Sequence, residues 1–250
     1  IETGSKTSKF GLDSEVVNRI SDEARDNTLV NITSIACHIG SQISDENLIL
    51  KSLDVISEIA NNLSANGHAI KFLDIGGGLG IQYKDEEEGD PKILMAGVKN
   101  RLEGKEYKII LEPGRSIVGS AGILVTRIEY IKNAGGKKFA IIDAGMNDLI
   151  RPSLYEAWHE VKELENREIS SDTYDLAGPV CETGDILAKD RNLKILPNDF
   201  VAFMDVGAYG SVMSSNYNSR LKPMELLVRG GEIEVIRRKE TFEDLIALES

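Results

Sequence analysis

The sequence is poor in cysteine, because Cys37 and Cys181 are the only two cysteines among its 250 residues. Two thiols are too few for a disulfide framework of the kind that staples small secreted domains. A chain of this length can bury one large core or two modest ones without such staples. The composition therefore favours a cytoplasmic protein whose thiols stay reduced.

Positive charge is also scarce, since 29 Lys and Arg residues stand against 41 Asp and Glu and leave a formal net charge of −12. A surface of this sign repels nucleic acid and anionic lipid. No apolar run approaches the roughly 20 residues of a membrane-spanning helix, and residues 1–6 lack the pattern of a signal peptide. We therefore predict neither a nucleic-acid partner nor a membrane partner.

The first half of the chain alternates helix and strand signals. Apolar residues at helical spacing predict helices over residues 13–26, 44–65 and about 91–102, and apolar runs predict strands over residues 29–37, 70–75 and 107–111. Asp13 and Ser44 are the predicted N-caps of the first two helices, and Asn66-Gly67 should end the second. This alternation is typical of parallel βα units.

The second half changes rhythm near residue 117. The helical period mostly disappears, and strand-like runs cover residues 123–131, 139–142 and 200–206, with a hairpin over residues 225–236 around Gly230-Gly231. We therefore expect two domains, an α/β domain over residues 1–117 and a mainly antiparallel β domain over residues 118–250.

Four glycines follow the predicted strand that ends at Ile75, at positions 76, 77, 78 and 80. Without a Cβ, this turn can adopt positive φ and approach an anion closely, which suits a phosphate. A plain tight turn is the alternative, and for this segment alone it is the commoner outcome.

Polar residues also follow the neighbouring predicted strands, and the carboxyl ends of parallel strands build the active site in such folds. The candidates are His38, Ser41, Gly77, Gly78, Glu112, Gly114 and Arg115. Together they suit a planar cofactor that carries a phosphate: glycine amides, Ser41 and Arg115 for the phosphate, His38 stacked on the ring and Glu112 on a protonated ring nitrogen. The alternatives are a core histidine, a helix-entry serine and a local Glu112–Arg115 ion pair.

Arg151 and Tyr155 stand four residues apart in the second half. A short helix beginning near Pro152 would present both side chains to one carboxylate. A surface arginine beside a packed tyrosine is the alternative, and spacing alone does not separate the two.

Two turns complete the set of candidates. In residues 178–185, Cys181 stands beside Glu182 and could donate a proton if it is exposed, whereas a lone cysteine is more often a small buried apolar residue. Tyr209 lies between Gly207 and Gly210, in a turn that could hold it against a ligand or be ordinary turn chemistry.

Seven segments in this order resemble the fold type III pyridoxal-phosphate decarboxylases, and within them the branch that acts on diaminopimelate. They are residues 4–6 with 8–11, 38–42, 74–80, 112–115, 143–155, 178–185 and 207–210. The resemblance implies the last βα units of a (β/α)8 barrel that binds pyridoxal 5'-phosphate, followed by a β domain. It also implies a homodimer with shared active sites and decarboxylation of meso-diaminopimelate to L-lysine, the last step of lysine biosynthesis.

The resemblance further implies a role for each candidate residue. His38, Ser41, Gly77, Gly78, Glu112, Gly114, Arg115 and Tyr209 would bind the cofactor, and Arg115, Arg151, Tyr155, Glu182 and Tyr209 would face the substrate. His38 and Cys181 would be catalytic, with Cys181 and Glu182 serving the site of the neighbouring subunit.

One feature of the family has no counterpart here. Its Schiff-base lysine belongs to a motif that precedes the matching stretch, and Lys6 and Lys9 match a later motif. We therefore expect the chain to be the carboxyl-terminal portion of the enzyme. The alternatives are another fold type III decarboxylase, acting on ornithine, arginine or carboxynorspermidine, and a non-catalytic relative.

Overall fold

The computed structural model describes residues 9–249, and its contacts divide the chain into a first unit that ends at Val118 and a second unit that begins at Gly119. The predicted motif at residues 4–6 lies outside the described residues. Over residues 9–249, no helix combines the length and the apolar character that crossing a membrane requires.

The first unit repeats strand and helix. Its elements are α1 (Ser14–Arg25), β1 (Ser34–Ala36), α2 (Glu46–Ala65), β2 (Phe72–Asp74), α3 (Pro91–Arg101), β3 (Lys108–Ile110) and α4 (Arg115–Val118). The strands form one parallel sheet in the order β1-β2-β3, with Ile35 opposite Leu73 and Leu73 opposite Ile109. The predicted parallel βα units are therefore confirmed.

Helix α2 packs one face on this sheet. Ile49, Leu53, Ile56, Ala60 and Leu63 recur at helical spacing, and all five are buried in the core of the first unit. Asn66 and Gly67 end the helix as predicted, with Gly67 at φ +97°.

The predicted N-cap of α2 is wrong by one residue. The helix begins after Asp45, not Ser44, because the Asp45 carboxylate accepts a hydrogen bond from the Asn47 amide at 3.0 Å. For α1, Asp13 takes the predicted N-cap position, but its side chain makes no capping hydrogen bond.

Strand β1 is shorter than predicted, since it begins only at Ser34. The residues after α1 are instead held in a turn by Asn27. The amide of Leu29 donates to Asn27 Oδ1 at 2.9 Å, and the amide of Val30 donates to Asn27 O at 3.3 Å. This local side-chain turn competes with strand pairing, although Leu29 and Val30 are apolar.

The second unit is built on a six-stranded mixed sheet. Its elements are β4 (Leu124–Ala134), β5 (Lys137–Ile142), α5 (Arg151–Tyr155), β6 (Val161–Glu163), β7 (Asp172–Ala177), β8 (Ile186–Leu193), β9 (Phe200–Phe203), β10 (Glu225–Arg229), β11 (Glu232–Arg237) and α6 (Phe242–Leu245). The sheet order is β6-β9-β4-β5-β7-β8, and every neighbouring pair is antiparallel except the parallel pair β5 and β7. Strands β10 and β11 form the predicted hairpin.

Strands β6, β7 and β8 are not among the predicted strands. Polar residues interrupt their apolar pattern, and the fold supplies partners for the buried carboxylate among them. Buried Asp175 in β7 accepts a hydrogen bond from the Asp190 amide at 2.8 Å and pairs with Lys137 at 2.6 Å. A carboxylate with such partners can occupy a strand interior, so composition alone hides the strand.

Candidate functional site

The glycine turn after β2 lies between the ends of β1 and β3, the two strands that flank β2 in the sheet. Gly76 and Gly78 have φ of +67° and +101°. A Cβ added at Gly77 would lie 2.1 Å from Glu112 O, and one added at Gly78 would lie 2.3 Å from Gly40 O. These atoms belong to the backbone, so only glycine fits here. Glycine at these positions brings the three strand ends together.

His38 lies against this turn. It is exposed, which excludes the alternative of a core histidine. A Cβ added at Gly76 would lie 2.9 Å from His38 Nδ1, so the missing side chain makes room for the imidazole. The Gly77 amide donates to Nδ1 at 3.4 Å, the long end of the hydrogen-bond range.

Arg115 joins the first and third strand ends. Its side chain is buried, with 5% of its surface exposed, and its Nη2 donates to Ser41 Oγ at 3.3 Å. Its Nη1 donates to the hydroxyl of Tyr83 at 2.5 Å, and its guanidinium carbon lies 5.5 Å from the centre of the Tyr83 ring. Ser41 and Arg115 therefore meet as predicted, and Tyr83 is a member of the cluster that the sequence interpretation missed.

Glu112 and Gly114 lie on the same strand end. The Glu112 amide donates to Gly76 O at 2.8 Å, while its side chain is exposed. A Cβ added at Gly114 would meet nothing within 4 Å. Gly114 therefore borders open space, whereas Gly77 and Gly78 are in close backbone contact.

The turn also borders a cavity of about 310 Å³ in the first unit. Gly76, Gly77 and Pro113 line it together with apolar side chains such as Leu79 and Leu94. Neither Ser41 nor Arg115 lines it. A buried guanidinium such as that of Arg115 suits an anion better than these apolar walls do.

In the second unit, Arg151 begins helix α5 and Tyr155 ends it, as the spacing predicted. Arg151 is buried, with 6% of its surface exposed, whereas Tyr155 is 47% exposed. The alternative of a surface arginine beside a packed tyrosine is therefore excluded. Arg151 Nη1 lies 2.9 Å from Nε2 of fully buried His159, and His159 Nδ1 lies 2.8 Å from Met204 O.

The turn that carries Cys181 is organised by Asp185. The Asp185 carboxylate accepts hydrogen bonds from the Met146 amide at 2.6 Å and from the Val180 amide at 2.7 Å. Burial raises the pKa of Asp185 above its ordinary value, and the two amides oppose that rise. A Cβ at Gly178 would lie 2.4 Å from Asp185 Oδ2, so this position also requires glycine.

Cys181 and Glu182 are both exposed on this turn. The alternative of a buried apolar cysteine is therefore excluded. The hydroxyl of Tyr217 donates a hydrogen bond to Glu182 Oε1, and this bond, with burial and the charge of Glu182, raises the pKa of Tyr217. Tyr217 thus holds the carboxylate of Glu182 in place.

Tyr209 occupies the predicted tight turn. It adopts φ +58°, a left-handed conformation that is uncommon for residues other than glycine, and its side chain is 44% exposed. The Val206 amide donates to Gly122 O and the Gly207 amide donates to Gly119 O, both at 2.9 Å. The turn is thus anchored to the segment at residues 119–122, and backbone strain of this kind concentrates at functional sites.

Four residues that support these clusters were not predicted: Tyr83, His159, Asp185 and Tyr217. One signal for His159 was available, because the sequence has only three histidines. Asp185 ends the predicted turn at residues 178–185 and accepts from Val180 only five residues away, whereas Tyr83 and Tyr217 meet their partners only through folding.

Comparison with known proteins identifies a protein family and individual relatives to which this chain is similar. The family of pyridoxal-dependent decarboxylases, C-terminal sheet domain, matches residues 15–207. The diaminopimelate decarboxylase of Pseudomonas aeruginosa is 43% identical over 250 residues, which is 100% of this chain and 60% of the relative. The chain therefore spans about 60% of the length of this curated relative.

Solved structures agree. The crystal structure of diaminopimelate decarboxylase from Helicobacter pylori complexed with L-lysine matches with a TM-score of 0.94 and 41% identity, covering 100% of this chain and 62% of that one. The lysine/ornithine decarboxylase from Vibrio vulnificus complexed with cadaverine matches with a TM-score of 0.78 at 23% identity, covering 86% of this chain and 59% of that one, which shows the fold alone.

Proposed function

We propose, from the premise that this chain belongs to the pyridoxal-dependent decarboxylase family, that the whole protein removes CO2 from meso-diaminopimelate and releases L-lysine. The observation that carries the choice of substrate is the buried cation Arg151 on the same short helix as half-exposed Tyr155. Diaminopimelate has a second carboxylate for such a pair to bind, and ornithine, arginine and other single-carboxylate substrates do not. The likeness to diaminopimelate decarboxylases over the whole chain supports the same choice.

The residues of the first unit fit pyridoxal phosphate. The backbone contacts at Gly77 and Gly78 leave no room for a Cβ, and the buried Arg115 supplies a cation with the hydroxyls of Ser41 and Tyr83 beside it. We assign Ser41, Arg115 and the glycine amides, with Gly114, to the phosphate.

His38 and Glu112 are assigned to the ring, with His38 stacked on it and Glu112 keeping its nitrogen protonated. When bound, pyridoxal phosphate supplies the electron sink for the pair of electrons that remains when CO2 leaves. Exposure of both side chains supports this assignment, because a residue that binds a ligand must be reachable.

The residues of the second unit act on the substrate. Arg151 and Tyr155, with Arg115, bind its carboxylates, and Glu182 binds its distal ammonium group. The thiol of Cys181 returns a proton to the substrate carbon after CO2 has left. Tyr209 closes the cofactor site. Exposure of Cys181, Glu182, Tyr155 and Tyr209 supports these roles.

Residues 1–117 would form the last βα units of a (β/α)8 barrel, and residues 118–250 the β domain of a cytoplasmic enzyme. In the homodimer that we propose, Cys181 and Glu182 serve the active site of the neighbouring subunit. Mixing an Arg115→Ala variant with a Cys181→Ala variant tests this arrangement. Shared sites would give each mixed dimer one intact site of two, so a randomly paired 1:1 mixture would regain about a quarter of wild-type activity, and separate sites would restore none.

The substrate is tested with the complete protein loaded with pyridoxal phosphate. CO2 release is measured from meso-diaminopimelate, ornithine and arginine under the same conditions. Release from diaminopimelate alone supports the proposal, and release only from ornithine contradicts it. A protein that binds the cofactor and releases CO2 from none of the three would be a non-catalytic relative.

A further inference from the structure

His159 is the only histidine in the sequence of the second unit, and the proposed reaction gives it no role. It is fully buried in the segment between α5 and β6. Its Nε2 lies 2.9 Å from Arg151 Nη1, and its Nδ1 lies 2.8 Å from the carbonyl oxygen of Met204, just after β9. The imidazole therefore connects Arg151 to the backbone at the end of a central strand.

The chemistry of the two partners settles which nitrogen carries the proton. A guanidinium can only donate, so Nε2 must accept from Arg151. A carbonyl oxygen can only accept, so Nδ1 must donate to Met204 O. His159 is thus a neutral imidazole with its proton on Nδ1. An acceptor without charge orients the guanidinium and does not itself neutralise its positive charge.

The backbone of this segment is held by contacts that do not involve the imidazole. Arg191 Nη2 donates to the carbonyl oxygen of His159 at 3.1 Å, and the Arg191 guanidinium lies 4.4 Å from the centre of the Trp158 ring. Substitution of the His159 side chain therefore leaves the path of the chain supported. A loss of function on substitution then reports on the imidazole itself.

We propose that His159 is a positioning residue that orients Arg151 toward the distal carboxylate of the substrate. This inference rests on the proposed function, in which Arg151 binds that carboxylate. His159 touches neither the cofactor nor the reacting carbon in this proposal. It acts through Arg151, by fixing the orientation of the guanidinium group.

Two amide substitutions separate the two contacts of His159 in the complete protein. The side-chain oxygen of Gln reaches the position of Nε2, so His159→Gln keeps an acceptor for Arg151. The side-chain NH2 of Asn reaches the position of Nδ1, so His159→Asn keeps only the donor to Met204 O. His159→Leu keeps neither contact and preserves apolar volume.

We expect the KM for diaminopimelate to rise about 10- to 100-fold in the Asn and Leu variants. In the Gln variant it should stay within about threefold of wild type. The change in kcat should be smaller than the change in KM. Inhibition by L-lysine, which retains the distal carboxylate, should weaken in parallel. Inhibition by cadaverine, which has no carboxylate, should not change. A structural defect would weaken both inhibitors alike and would overturn the proposal.

A double-mutant cycle completes the test. If His159 acts through Arg151, then His159→Asn causes no further rise in KM in an Arg151→Ala background. Additive effects overturn the positioning role, and so does an unchanged KM in the Asn variant of an active protein. A wild-type protein that releases no CO2 from diaminopimelate refutes the proposed function instead. If the Leu variant does not fold, the Gln and Asn pair still decides the question.

Discussion

Replacement of Gly77 by alanine should weaken the binding of pyridoxal phosphate and destabilise the first unit together. The new Cβ would lie 2.1 Å from Glu112 O and 3.0 Å from the Glu112 carbonyl carbon. Carbon and oxygen atoms approach comfortably to about 3.3 Å. The two backbone segments must therefore separate by about 1 Å before the methyl group fits.

The size of the effect follows from what resists this movement. The Glu112 amide donates to Gly76 O at 2.8 Å, so the ends of β2 and β3 are bonded at the point where the methyl group pushes them apart. Overpacking of this kind costs about 1–3 kcal/mol. Loss of a well-aligned hydrogen bond to a phosphate costs about 1.5–3 kcal/mol more at the cofactor site, which corresponds to affinity lower by roughly 10- to 100-fold.

The assay is a titration of the complete protein with pyridoxal phosphate, followed by its visible absorbance, beside urea unfolding without the cofactor. Gly114→Ala is the matched control, because its Cβ meets nothing within 4 Å and the position has no positive φ. Its free energy of unfolding should stay within about 0.5 kcal/mol of wild type, so a loss of cofactor affinity in this variant reports direct contact. Wild-type affinity and stability in Gly77→Ala would refute the reasoning.

Three further predictions follow from the same clusters. Tyr83→Phe removes the hydroxyl that accepts from Arg115 and should lower the affinity for pyridoxal phosphate about tenfold in the same titration; unchanged affinity would remove Tyr83 from the cluster. Cys181→Ala should lower kcat at least about 100-fold while leaving cofactor affinity at the wild-type value, and an equal loss of both in steady-state and binding assays would contradict its role in proton transfer. Burial disfavours the charge of Asp199, but hydrogen bonds, chiefly from Arg167 and from the Leu196 amide, together outweigh it and hold the pKa of Asp199 below the ordinary value. A carboxyl group whose pKa is lowered in the folded state stabilises the fold above about pH 4, and this stabilisation is lost as the pH falls through the folded-state pKa. In urea titrations, wild type should therefore lose more free energy of unfolding between about pH 5 and pH 2 than Arg167→Met does. Equal losses in the two proteins would argue against the pair of Arg167 and Asp199.

The sequence alone determined the elements whose signal is local. The face of α2, with Leu53 and Ile56, follows from helical spacing, and the end of that helix follows from Asn66-Gly67. The signal for the glycine turn after β2 is equally local, because glycine lacks a Cβ atom whatever surrounds it. The order of the short motifs was sufficient to indicate the family that the comparison then established.

Tertiary structure decided which side chains meet. Tyr83 stands 32 residues before Arg115, and Met204 stands 45 residues after His159, so no window of sequence contains either pair. Strand β7 was hidden for the same reason, since Asp175 becomes acceptable in a strand only when Asp190 and Lys137 are brought to it. A polar group can be buried where the fold supplies its partner. The residue types of this chain indicate what chemistry is available, and the packing of distant segments selects which of those groups are oriented to perform it.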